Sequence, residues 1–392
     1  MISKEVRDLE PQVIAWRRRM HEHPELSFQE FGTTAFLLEE LKKIPGVRLE
    51  TPTKTGAVAI LRGGRPGPCI ALRADIDALP ITEETGLPFA SRTPGVMHAC
   101  GHDGHAAMQL AAVTLLARER EQLCGEVRFL FQHGEELPPG GAAEMARAGV
   151  MTGVDEVYGM HLSSAFPTGT FGVRPGALTS ATDRFDIRVI GKGGHSAFPE
   201  TCVDPVVTAA QVVTALQTVV SRRIRAVEPA VVSVCMVQAG QAYNVIPGEV
   251  SLTGSTRTFD RETRRTLPAV MEQIVRGICQ SAGAECDFRF TLGYASVVND
   301  RTLTQAARAL IEDAFGPQAV LEIDPLMPGE DFSALLESCP GFFVELGARN
   351  EETGCTVPHH NSRYRMDEGA LKYGVEYLCR LVRSRLSPHP AA

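Results

Sequence analysis

Long apolar runs are missing from this chain of 392 residues. None approaches the roughly 20 residues that a membrane-spanning helix requires. The first residues, Met1 to Arg7, pass straight into charge without the apolar core of a secretion signal, so the sequence reads as a soluble, cytoplasmic protein. Basic clusters are also missing, and the formal net charge is −8, which excludes a general attraction to nucleic acid or to anionic membranes. Small molecules and further copies of the chain remain as expected partners. Short, regular cysteine spacings are absent too. The ten cysteines are scattered, several of them in apolar surroundings such as Cys69, Cys235 and Cys379, which argues against a disulfide framework. Apart from Cys100 they read as reduced, buried thiols. Neither internal repeats nor low-complexity segments occur.

What is present is an ordinary globular composition, 44% hydrophobic and 22% charged, in a chain longer than one hydrophobic core usually serves. Two domains follow. Residues 1–182 and 294–392 carry continuously apolar strands, about 57–61, 69–74, 127–132, 154–160 and 342–346, among helices near 4–20, 29–43, 106–121, 302–314 and 367–386. This texture predicts an α/β domain with a mixed, mostly parallel sheet between helices. Between them, residues 183–293 follow a β-α-β-β-α-β order with alternating strands, which predicts an inserted ferredoxin-like α+β domain. Ser387 to Ala392 reads as a frayed tail.

The densest chemistry lies in Met97-His98-Ala99-Cys100-Gly101-His102-Asp103-Gly104-His105, where imidazoles, a thiol and a carboxylate share nine residues. Two glycines there predict a loop rather than a plain helix or strand. Such a donor set suits zinc and its first-row neighbours. Further metal-competent residues follow apolar strands: Asp75 and Asp77, the adjacent Glu135-Glu136, and His161. With the His359-His360 pair they complete enough ligands for two ions sharing a bridge. In Glu135-Glu136 one carboxylate can bind metal while its neighbour accepts a proton. His21 and His23 read instead as capping or solvated residues at a helix end. Cys100 has two readings, a thiolate ligand or a nucleophile with His102 or His105 as base. The Cys-x-His spacing favours chelation.

These residues resemble the dinuclear-metal amidohydrolases typified by hippurate hydrolase, the aminoacylases and the plant indole-acetyl-amino-acid hydrolases. The resemblance covers nearly the whole chain. It includes Arg18-Arg19 with His21 and Pro24-Glu25-Leu26, then Arg73 to Pro80, Met97 to His105 and Glu135-Glu136. It continues through Gly159 to Leu162, Gly191 to His195, Asn244 to Pro247, Gly329 to Phe332 and His360-Asn361. It implies Cys100, His102, Glu136, His161 and His360 as ligands of two divalent ions, zinc first, with manganese, cobalt or nickel as alternatives. It implies Glu135 as general base on a metal-bridged water, and His195 as a lid histidine steadying the oxyanion. Asn244 and Arg257 are candidate substrate holders, and Asp75, Asp77, Asp103 and His105 orient the ligands. The chain departs from its relatives in Gln132-His133-Gly134, where Gln-Pro-Ala is usual. His133 there is a wall residue, a proton carrier or a solvated side chain. The implied activity is hydrolysis of the amide bond of N-acyl amino acids, a carbon–nitrogen bond other than a peptide bond, by a homodimer formed through the inserted domain. Alternatives are a dipeptidase or carboxypeptidase of the same fold, a metal-independent thiol hydrolase, and a non-catalytic metal- or ligand-binding protein.

Overall fold

The continuously apolar runs become the middle of a sheet. The computed structural model describes residues 1–387, so of the tail Ser387–Ala392 all but its first residue lies outside the described residues. The chain divides into two units. The larger comprises Met1–Leu178, Val298–Asp324 and the chain from Asp331 onward. Its eight-stranded sheet has the order Val47–Glu50, Ala57–Arg62, Cys124–Gln132, Arg65–Asp75, Glu156–Pro167, Gly341–Arg349, Phe171–Val173, Val320–Glu322. The three successive central pairings, from Cys124–Gln132 to Gly341–Arg349, are parallel, and the pairings at the Val47–Glu50 edge are antiparallel. Leu72, Phe129, Phe131 and Val344 in the central strands are wholly buried, as strands covered on both faces must be.

Helix His102–Ala117 packs against that sheet and against helices Lys4–Glu22 and Leu371–Leu386. Ser3 caps the first of these through its hydroxyl, and Val13, Trp16 and Met20 turn into the core. The loop expected over Met97 to His105 is only half a loop. Gly101 stands at the helix N-cap with φ of +98°, a left-handed conformation open to glycine at little cost, and its carbonyl accepts the His105 N–H. The helix therefore begins at His102, so the loop's last histidines lie in its first turn. Burial on all sides leaves it without the polar stripe that would have marked its start. A second correction concerns His161. The strand expected to stop before it runs on from Glu156 to Pro167, with His161 in mid-strand opposite Glu345.

The smaller unit is Thr179–Val297 with Pro325–Glu330, wider than the segment 183–293. Its antiparallel sheet has the order Ala230–Ala239, Glu249–Thr258, Ala181–Ile190, Glu285–Leu292. Helices Pro205–Thr218 and Arg261–Ser281 pack on the sheet through Val212, Leu216, Leu267, Met271 and Val275, against Phe185, Ile187, Val189, Val250 and Leu252. Strand Ala181–Ile190 alternates between buried and more exposed residues, the period of two seen in its sequence. Asp204 and Asp260 cap the two helices by accepting N–H bonds. All ten thiols are free, but only Cys100, Cys279, Cys355 and Cys379 are buried. Cys235 is exposed, at a register shift between Val234 and Met236 that interrupts the strand's alternation. No helix among the described residues is long and apolar enough to cross a membrane.

Candidate metal centre

Four stretches of the larger unit converge on one group of donors: the loop ending in Gly101, the turn after strand Cys124–Gln132, the middle of strand Glu156–Pro167, and the segment His359–His360. Cys100, His102 and His161 present ligand atoms within 4.8 Å of one another, as do Cys100, Glu136 and His360, and also His102, Glu135 and Glu136. Cys100 belongs to two of these triads. Its sulfur lies 3.4 Å from His161 Nε2. Glu136 Oε1 lies 3.2 Å from His360 Nε2 and 3.8 Å from His102 Nε2. His360 is held at φ +60° with its N–H donated to Ala99 O, which ties it to the cysteine loop.

The imidazoles are oriented as metal ligands are. His102 places Nδ1 3.0 Å from Asp77 O and 3.2 Å from its Oδ1, so Nδ1 carries a proton and Nε2, which has no hydrogen-bond partner, is the nitrogen left to face an ion. In His161, Nδ1 donates to Leu162 O at 2.7 Å, which turns Nε2 toward Cys100. A buried, unpartnered imidazole nitrogen is costly by itself. Together with thiol and carboxylate donors it fits a divalent cation. His105 is different: Nδ1 bonds Asp75 Oδ1 at 2.6 Å and Nε2 accepts the Leu162 N–H at 2.8 Å, which leaves no nitrogen for an ion. His359 falls outside every triad.

Charge around these donors is arranged in pairs. Burial opposes ionisation of Asp75, yet His102, Arg73 and His105 hold it well below the usual carboxylate range. Burial likewise opposes a charged His102, but Asp75, Asp77 and Glu136 push it up to about 10 in the metal-free chain. The Cys100 thiol is pushed well up by burial and by Glu136, Glu135 and Asp75. Asp103 is buried against Arg17, with Nε at 2.7 Å, and His21 Nδ1 at 2.8 Å. His21 is thus a fully buried partner of Asp103 and Glu83, not a solvated helix end. His23 caps the same helix through its backbone N–H. His133 is not solvated either: it is buried, edge-on to Phe28, with Nε2 3.0 Å from Glu144.

Sequence reasoning passed over Arg73 and Asp331 as working parts. Arg73 bonds Asp75 and Asp331 at 2.7 Å each, and Gln132 at 2.7 Å, fixing the floor under His105. The available signal was a lone arginine inside an otherwise apolar strand. In the smaller unit, His195 is exposed, and its Nδ1 accepts the Ala197 N–H at 3.1 Å, so a neutral ring carries its proton on Nε2. His195 pairs with Val245, next to Asn244, whose carbonyl accepts the Ser196 N–H. Arg257 lies on strand Glu249–Thr258, opposite Thr182 and Val231.

Comparison with known proteins agrees with this chemistry. The chain is 52% identical over 298 residues, 76% of its length and 80% of the other's, to an N-acyl-L-amino acid amidohydrolase of Geobacillus stearothermophilus. It is 39% identical over 377 residues, 95% of each chain, to thermostable carboxypeptidase 1 of Saccharolobus solfataricus. Its structure resembles that of a dinuclear metal binding peptidase of Bacillus subtilis with a TM-score of 0.86 and 38% identity, over 97% of this chain and 99% of that one. The sequence pattern of one peptidase family matches residues 71–384. With a donor cluster built for divalent metal and relatives matched along nearly its whole length, the chain belongs to peptidase family M20/M25/M40.

Proposed function

We propose that this protein is a metal-dependent amidohydrolase that hydrolyses N-acyl amino acids, with Cys100, His102, Glu136, His161 and His360 holding two divalent ions. The observation that carries this reading is the pair of imidazoles, His102 and His161, whose Nδ1 atoms are committed to carbonyl or carboxylate oxygens while their Nε2 atoms face the Cys100 and Glu136 donors. Zinc suits the mixed sulfur, nitrogen and oxygen set best. When bound, the ions supply Lewis acidity toward water and the amide carbonyl. Glu135 takes a proton from the attacking water and returns it to the leaving amine. Asp77 keeps His102 in the tautomer that leaves Nε2 free, and Asp75 does the same for the orientation of His105, which braces strand Glu156–Pro167 through Leu162. His195 donates from Nε2 to the developing oxyanion, and Asn244 and Arg257 hold the substrate, the arginine by its planar fork on the α-carboxylate.

In this reading the larger unit is the catalytic domain and the smaller one the lid. The smaller unit also forms the dimer, supported by the open edge strand Ala230–Ala239 with Met236 and Val237 exposed. A nucleophilic Cys100 fares poorly, because the same carboxylates and burial that raise its thiol disfavour a thiolate, and burial holds the adjacent His161 well below its ordinary value. Carboxypeptidase action is the second reading, favoured by the carboxypeptidase matched along 95% of the chain.

The deciding experiment replaces Glu135→Gln and measures metal content beside turnover of N-acetyl and N-benzoyl amino acids and of dipeptides. Metal content is expected to stay at the wild-type level while kcat falls by about 10²- to 10⁴-fold. Surviving turnover in the variant would remove Glu135 as the base, and a wild type preferring dipeptides would hand the assignment to the second reading.

A further inference from the structure

The turn Ser27-Phe28-Gln29-Glu30 lies outside every donor triad, yet one end of it bonds the loop that carries Glu135 directly and the other reaches it through Asp77. At one end, Glu30 is fully buried, and its Oε1 accepts N–H bonds from Phe28 at 2.9 Å and from Gly134 at 2.8 Å, while Oε2 accepts the Thr55 hydroxyl at 2.8 Å. At the other, Ser27 donates its hydroxyl at 2.7 Å to Asp77 Oδ2, the same oxygen that accepts the Glu136 N–H at 2.9 Å. The residues on either side of Glu135 are thus each fixed by a backbone N–H to a buried carboxylate.

Two left-handed backbone conformations, one of them at a non-glycine residue, are built into this arrangement. Gly134 sits at φ +62°, and a Cβ on it would come within 2.8 Å of the Phe28 ring. Phe28 itself sits at φ +65°, which a side chain of its size rarely adopts. Strain of this kind persists where the surroundings over-determine it, and it clusters where geometry matters for function. A buried carboxylate with three donors on it is also an unusual investment for a plain turn, since burial disfavours its charge.

We propose that Glu30, with Ser27, is a positioning residue for Glu135: the two hold Gly134 and Glu136 so that the base carboxylate meets the reacting water in one geometry. This rests on the reading of Glu135 as general base. The cost of losing the anchor is then paid in kcat rather than in substrate or metal binding, because misplacing a base by a fraction of an ångström to one ångström lowers the rate by up to about 100-fold.

The test compares Glu30→Ala with Glu30→Gln in metal-loaded protein, and follows amide hydrogen exchange over residues 133–137 in metal-free protein. Glutamine can keep its carbonyl oxygen on the Phe28 and Gly134 N–H groups and turn its amide toward Thr55, whose hydroxyl accepts as readily as it donates. The expectation is that Glu30→Ala lowers kcat on the order of 10- to 100-fold with KM and metal content unchanged, and speeds exchange at Gly134, while Glu30→Gln restores both. A glutamine variant as poor as alanine, a kcat left intact by alanine, or metal lost in step with activity would each overturn the assignment. If Glu30→Ala does not fold, Ser27→Ala, which removes one donor from Asp77, is expected to lower kcat by a smaller factor and to speed exchange at Glu136 instead of Gly134. Should the wild type turn over no amide at all, the catalytic reading fails, and slow exchange at Gly134 that depends on Glu30 still decides whether the anchor exists.

Discussion

His21 illustrates how a single side chain changes meaning between sequence and structure. Beside a proline at a helix end it reads as solvent-facing, yet it is fully buried, with Nδ1 2.8 Å from Asp103 and Nε2 3.2 Å from Glu83. Burial and the adjacent Arg17 oppose its protonation, and the bonds to Asp103 and Glu83 outweigh them, so its pKa is raised. A histidine whose folded pKa exceeds the unfolded value of about 6.5 contributes stability that is complete below that pH and is lost as pH rises through the folded pKa. The urea midpoint of the protein is therefore expected to decline from about pH 6.5 upward, and His21→Asn to flatten that decline. A midpoint with the same slope in both proteins would place the pH dependence elsewhere. The residue-scale signals that could be read directly were those with chemistry of their own: a thiol two positions from an imidazole, and paired glutamates after an apolar strand. The roles of Arg73, Asp331 and Glu30 stayed hidden because a buried charge is recognised by its partners, most of which lie far away in the chain.

At the scale of elements, the site depends on where helix His102–Ala117 begins. The left-handed N-cap at Gly101 turns the chain so that Cys100 belongs to the loop while His102 opens the helix. An alanine there would force a Cβ into a left-handed conformation and bring it 3.2 Å from the Tyr364 hydroxyl. Gly101→Ala is expected to cost about 1–2 kcal/mol in urea unfolding. It is also expected to weaken metal binding, since the two donors flanking it can no longer face the same point; unchanged stability and affinity would show that the turn tolerates another path. Strands were legible wherever apolar runs were continuous or alternated, as over residues 69–74 of Arg65–Asp75 and 184–190 of Ala181–Ile190. The short strands Val47–Glu50, Phe171–Val173 and Val320–Glu322, and helix Gly141–Arg147, were not. Segments that short carry no measurable period, and it is pairing with longer neighbours that makes them regular.

For the molecule as a whole, the donor triads formed by Cys100, His102, Glu135, Glu136, His161 and His360 lie in one of the two units. A cation that binds the folded state alone stabilises it by mass action, by about 2.7 kcal/mol at a free concentration 100 times its Kd. Calorimetry of the metal-free protein with added zinc is expected to raise the transition of the larger unit and leave that of the smaller unit in place. Equal shifts in both transitions would mean that the two units unfold as one or that metal binds in both.

The sequence by itself determined the chemistry and the kind of layers. Donor types, the order of apolar and amphipathic segments, and caps such as Ser3, Asp204 and Asp260 are local properties, and local propensity with side-chain periodicity is enough to express them. Tertiary structure decided which nitrogen of each histidine is free, which of His359 and His360 stands with Cys100 and Glu136, and that Glu30 holds Gly134. Each of these depends on a hydrogen-bond partner or a packing neighbour brought from a distant part of the chain. A spacing in sequence sets what a residue can reach, and only the packed fold sets what it meets.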